Sequence, residues 1–174
     1  MLSRVPKEVI ASILAATTAY IGSTALHLPP WAIFVAWAGT YLAGGPTGPV
    51  MKKMWATMPI GSTYALIIIV LVQRLGGILG SGYWGPATVQ ALVILVVNTA
   101  LMYTARIRAV NLVPGMFFGF ASMFATFYGG FGWNTANPLV AWIAVIAMNA
   151  LGPVYAWVAE WLSTPRNADR LEQP

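Results

Sequence analysis

Six apolar stretches, separated by charged residues and by glycine and proline, dominate this chain. They cover residues 9–26, 30–43, 54–72, 86–104, 112–128 and 138–162, and Glu160 is the one charged side chain among them. A helix needs about 20 apolar residues to cross a hydrocarbon core of about 30 Å. Of the 174 residues, 7% are charged and 59% hydrophobic, and the mean hydropathy is +0.73. A soluble domain carries about 25% charged residues, so this chain lacks the polar surface to cover a globule in water. The expected architecture is an all-α integral membrane protein with six transmembrane helices. Residues 1–162 form a single transmembrane domain, and 163–174 form a short cytoplasmic tail rich in proline and acid.

The basic residues set the expected orientation, because lysine and arginine stay on the cytoplasmic side. With both termini inside, that side holds Arg4, Lys7, Lys52, Lys53, Arg106, Arg108, Arg166 and Arg170, leaving Arg74 outside. Moving the topology by one span destroys this segregation. Tryptophans agree: Trp31, Trp84 and Trp133 fall at outer ends, and Trp55, Trp157 and Trp161 at inner ends, where amphipathic rings prefer the headgroup level. The formal charge of +5 is thus a topology signal, and no nucleic-acid partner is expected. The expected location is a membrane crossed in multiple passes, with the lipid bilayer as surroundings.

The second and fifth spans look alike. One runs from Pro29 to Gly44-Gly45, the other from Pro114 to Gly129-Gly130, an offset of 85. Three spans are an odd number, so two such units in tandem have opposite orientation, the inverted 3+3 repeat of many transporters and channels. The second span is abbreviated, about 21 Å at about 1.5 Å per residue. The fifth carries Pro114, Gly115 and Gly119. Each has a stripe of small residues at helical spacing: Ala32, Ala36, Gly39 and Ala43 in one, and Gly115, Gly119, Ser122 and Thr126 in the other. The stripes match at an offset of 83. Small stripes let helix backbones approach closely, and we assign Ala32, Ala36, Gly39, Gly115 and Gly119 to helix packing. The sharper expectation is that the two short spans cross at mid-bilayer and line a path.

The segment Val113-Pro114-Gly115-Met116-Phe117-Phe118-Gly119, followed by Phe124-Ala125, resembles the signature of the YcdZ-type bacterial inner-membrane proteins. Trp31-Ala32-Ile33-Phe34 with Tyr41-Leu42-Ala43 resembles the equivalent earlier motif. The resemblance spans roughly residues 10–160. It implies a small multi-span inner-membrane protein of unknown function and supplies no catalytic or ligand residues.

Chemistry-bearing groups are scarce. There is no cysteine and one histidine, which excludes disulfides, iron–sulfur clusters and thiolate zinc sites. No charged residue falls mid-span, which argues against proton relays and ion-coupled antiport. No nucleophile–base pair is present, so an enzyme is not expected, and neither are a cofactor or a metal. His27 reads as an interfacial histidine. Asn98 and Asn149 are amides within spans, and an amide in hydrocarbon must find a partner. With Thr40, Tyr41, Ser122 and Thr126 they form a neutral polar set. Phe117 and Phe124 belong to a cluster holding six of the seven phenylalanines, which could act as a hydrophobic constriction. These eight residues are the candidate substrate path: Asn98, Asn149, Thr40, Tyr41, Ser122, Thr126, Phe117 and Phe124.

The expected function is a membrane channel or facilitative transporter for a small neutral or weakly ionised polar solute. The alternative is a non-transporting scaffold or partner-binding membrane protein. So small a bundle has little interior, and a homo-oligomer is expected.

Overall fold

The computed structural model describes residues 5–163. The proposed tail from 164 onward, and Arg4, lie outside the described residues. Six α-helices follow in chain order: α1 (Lys7–Gly22), α2 (Pro30–Leu42), α3 (Gly48–Leu75), α4 (Trp84–Thr104), α5 (Val113–Tyr128) and α6 (Pro138–Ser163). A single 3₁₀ turn, Arg108–Val110, precedes α5, and no strand occurs among the described residues. The regular elements of the described residues are all helical. Three of the helices, α3, α4 and α6, are long and apolar enough to cross a bilayer.

Proline and glycine set the helix limits. Pro30, Pro49 and Pro114 occupy the first turns of α2, α3 and α5, where a missing N–H leaves no bond unmade. α2 and α5 end alike. Gly44 (φ +116°) and Gly130 (φ +72°) take the left-handed conformation that L side chains avoid. The next N–H then reaches back to the helix: Gly45 N to Thr40 C=O at 3.0 Å, and Phe131 N to Thr126 C=O at 3.0 Å. Each closes a Schellman cap. α3 starts six residues before its apolar run, because Lys52 and Lys53 ride on its first turns. Lys53 Nζ donates to Asn111 Oδ1 at 2.8 Å, keeping its charge at the rim while its stem covers apolar surface.

The two most extensive pairings are α3 with α5 and α2 with α6. Lipid tails are as apolar as leucine, so close van der Waals contact holds such pairs. Glycines make that contact possible. A Cβ on Gly61 of α3 would meet the Met116 carbonyl and lie 2.9 Å from Phe120 N. On Gly119 of α5 it would meet the Met58 carbonyl, and on Gly152 of α6 it would meet Ala36 Cβ and lie 2.6 Å from Trp37 N. A Cβ on Gly115 would meet Thr57 Oγ1, and one on Gly39 would lie 2.7 Å from the Phe118 ring.

The register recurs. Gly61 and Gly152 are 91 residues apart, and the residues they touch, Phe120 and Trp37, are 83 apart. The outer helices attach in matching fashion. Tyr64 Oη of α3 is 2.7 Å from Thr104 Oγ1 of α4, and Tyr155 Oη of α6 is 2.7 Å from Thr17 Oγ1 of α1. Tyr64 and Tyr155 are again 91 apart. α2 and α5 run in opposite directions where they meet: Gly39 touches Phe118, whereas Ile33 shares a cluster with Met123. α3 and α6 are also antiparallel, tied by Trp55 Nε1 donating to Ala150 C=O at 2.9 Å and Trp142 Nε1 donating to Thr63 Oγ1 at 3.2 Å.

Candidate functional site

The helices α3 and α6 each carry an internal proline, Pro59 and Pro153. A proline removes the N–H that the carbonyl four residues earlier would accept. The carbonyls of Trp55 and Asn149 therefore lose their helical donors. At this level the two helices flank a half-open pocket of about 360 Å³. Met54, Trp55, Met58 and Pro59 of α3 line one wall, and Ile146, Asn149 and Ala150 of α6 line the other. Three pairs of lining residues, one from each helix, occupy equivalent positions 91 residues apart: Trp55 and Ile146, Met58 and Asn149, and Pro59 and Ala150.

The wall is apolar apart from Asn149 and the Trp55 indole, whose N–H is already engaged by Ala150. Asn149 is 3% exposed. Its amide nitrogen and oxygen are both buried, and neither has a hydrogen-bond partner. An unpaired buried polar group costs about 1–3 kcal/mol, so this amide stands out within the helix bundle.

The other residues singled out from the sequence lie elsewhere. Thr40 is buried, and its hydroxyl donates to the Ala36 carbonyl one turn back at 2.8 Å. Tyr41 Oη donates to Ala156 C=O at 3.3 Å. Ser122 and Thr126 are fully buried on α5, and their hydroxyls lack partners, as does Asn98 Oδ1 on α4. Phe117 is 40% exposed on the lateral surface and meets Phe120 edge-on at 6.4 Å. Phe124 stacks on Tyr128 at 6.0 Å and tilts against Phe120 at 5.0 Å. These rings form a ladder along α5.

The pocket thus lies between α3 and α6, not between the two short helices as expected. The reason is steric. Ala36, Gly115 and Gly119 let α2 and α5 approach α6 and α3 closely, whereas the α3–α6 pocket is lined by the bulkier Met54, Trp55, Met58 and Pro59.

A second, more polar hollow of about 440 Å³ lies between the start of α1, the α2–α3 turn and the end of α6. Lys7 Nζ donates to Glu160 Oε2 at 2.8 Å there and sits 5.0 Å from the Tyr41 ring centroid. The bond to Glu160 holds the Lys7 ammonium above its ordinary pKa of 10.5, and Tyr41 adds to this against the opposing effect of burial. On the opposite end, His27 takes φ +48°, and its carbonyl accepts from Gly132 N at 2.7 Å. This bond joins the α1–α2 and α5–α6 loops.

A model of the family described as "Protein of unknown function (DUF1097)" matches residues 9–164. The chain belongs to this family. The description is the coarser form of the resemblance read from the sequence, and it carries neither the YcdZ-type name nor an activity. No curated protein and no solved structure matches the chain. In this DUF1097 protein the sequence reading found the span of α3 and the amide Asn149, but missed that α3 lines the pocket beside Asn149. The signal was present: Gly61-Ser62-Thr63-Tyr64-Ala65 and Gly152-Pro153-Val154-Tyr155-Ala156 share glycine, tyrosine and alanine in the same places.

Proposed function

We propose that this protein is a six-span inner-membrane channel or facilitative transporter for a small uncharged polar solute, built as an inverted repeat of two three-helix halves. The observation that carries the reading is the pocket between α3 and α6, which is lined by Asn149, a residue whose buried amide has no hydrogen-bond partner. Its volume falls in the range of small-molecule sites, about 300–1,000 Å³. A lining with one neutral hydrogen-bonding group suits an uncharged solute. An ion would need rings of carbonyls or charges to replace its hydration, and no ionisable residue lines this pocket.

Several features support the repeat. The α2–α6 and α5–α3 pairings share a glycine register, and the Tyr–Thr bonds tie α1 to α6 and α4 to α3. In inverted-repeat transporters the site lies at the interface of the repeats, formed by interrupted helices, and the lining pairs 91 residues apart support reading this pocket as such an interface. Orientation with both termini cytoplasmic and assembly as a homo-oligomer complete the proposal.

Stopped-flow light scattering on proteoliposomes tests it. Urea, small carboxamides or glycerol should cross faster than through protein-free vesicles, while sodium and chloride should not. The absence of protein-dependent flux for every uncharged solute overturns the proposal.

A further inference from the structure

The chemistry of the α3–α6 pocket selects a narrower class of solute, an inference that rests on the permeation reading above. From Asn149 we infer that the pocket takes a molecule with a primary carboxamide or urea group and a short apolar remainder. An asparagine amide offers an N–H donor and a C=O acceptor side by side, and here both lack partners. The complement is a group presenting an acceptor and a donor along one edge. A carboxamide or a urea does so while remaining neutral at all physiological pH values, whereas a polyol has no such planar edge.

The rest of the wall decides between amide-like groups. Of the side chains there, only Trp55 brings another donor, and its indole N–H is taken by Ala150 C=O at 2.9 Å. Pro59 and Pro153 leave the carbonyls of two wall residues, Trp55 and Asn149, without helical donors. Acceptors therefore outnumber donors at this level. An NH₂ group, with two N–H bonds to give, meets that excess better than an undissociated acid with its single O–H. Met54, Met58 and Ile146 provide adaptable apolar surface for the remainder.

Saturation-transfer NMR on the full-length protein in lipid nanodiscs tests the class with three probes: propionamide, butanone and glycerol. Butanone has the shape of propionamide with a methyl in place of NH₂. Propionamide should bind at least about tenfold more tightly than butanone or glycerol, the effect of one or two hydrogen bonds made away from bulk water. Asn149→Leu should weaken propionamide by about tenfold and butanone, which keeps only the acceptor, by a smaller factor. Asn149→Gln, which keeps the amide, should retain more propionamide affinity than Asn149→Leu and controls for folding. Equal affinity for propionamide and butanone, or propionamide binding indifferent to Asn149→Leu, overturns the assignment. Flux assays on the same panel separate the two readings. Glycerol crossing without any preference for propionamide removes the solute class and leaves permeation. Propionamide binding that is sensitive to Asn149, with no solute crossing, supports the class and removes permeation.

Discussion

Replacing Gly61 or Gly152 with alanine adds a methyl where the opposing helix has placed its backbone. At Gly61 the new Cβ meets the Met116 carbonyl and Phe120 N, and at Gly152 it meets Ala36 Cβ and Trp37 N. A flexible side chain could swing away, but a helix backbone cannot, so the pairs α3–α5 and α2–α6 must separate along their length. Overpacking costs about 1–3 kcal/mol, and rigid neighbours put these sites in the upper part of that range. Alanine recovers about 1 kcal/mol of helix propensity over glycine. The net expectation is a loss of about 1–2 kcal/mol for each variant, alike for the two because their surroundings match. Gly77 is the control: it is exposed, and an added Cβ meets nothing within 4 Å. Gly77→Ala should change stability by no more than about 0.5 kcal/mol. The assay is equilibrium unfolding in mixed micelles of increasing dodecyl sulfate content, followed by circular dichroism. Stability of Gly61→Ala and Gly152→Ala within a few tenths of a kcal/mol of wild type would refute the close-packing argument, and a large effect in one alone would refute the equivalence of the two halves.

Four further outcomes follow from the same geometry. Asn149→Leu should raise stability by about 1–3 kcal/mol in the same unfolding assay, since a buried amide without partners is replaced by an apolar side chain, while solute flux falls. Tyr64→Phe and Tyr155→Phe should each cost about 0.6 kcal/mol, the average for a hydrogen bond between membrane helices. The Lys7 pKa is raised in the folded protein, so the Lys7–Glu160 pair contributes below the ordinary value of 10.5 and is lost as pH rises past the raised value. The melting temperature should stay level from about pH 7 to 10 and fall above that. This contribution is at most about 1 kcal/mol for a half-exposed pair and should be absent in Lys7→Met. Crosslinking in native membranes should give discrete oligomers, and a monomer alone would contradict assembly.

The membrane class and the helix order were legible because hydropathy and charge segregation are summed over many residues. Proline at helix starts and the glycines at 44 and 130 marked α2 and α5 correctly, since backbone geometry there depends on single residues. The start of α3 was not legible. Lys52 and Lys53 read as loop charges, but their long stems allow them to sit on a helix. The buried amide at Asn149 was legible because asparagine in an apolar run is rare. Its pocket was not, because a cavity depends on which helices cross, and that follows from pairing. The offset of 85 came from turn residues, whereas packing follows 83 in the short helices and 91 in α3 and α6, since loop lengths differ between the halves.

The absence of cysteine from the sequence permits a direct test of whether water reaches the α3–α6 pocket. Single cysteines are introduced at Met58, which lines the pocket, and at Ile69, which is fully buried in the core cluster with Ile33 and Met123. A thiol reacts as its thiolate, which forms only where the surroundings stabilise charge. A small water-soluble thiosulfonate reagent should label Met58→Cys in intact membranes, more slowly when propionamide is present, and leave Ile69→Cys unmodified. Labelling of Met58→Cys no faster than Ile69→Cys would show a dry pocket and contradict the account.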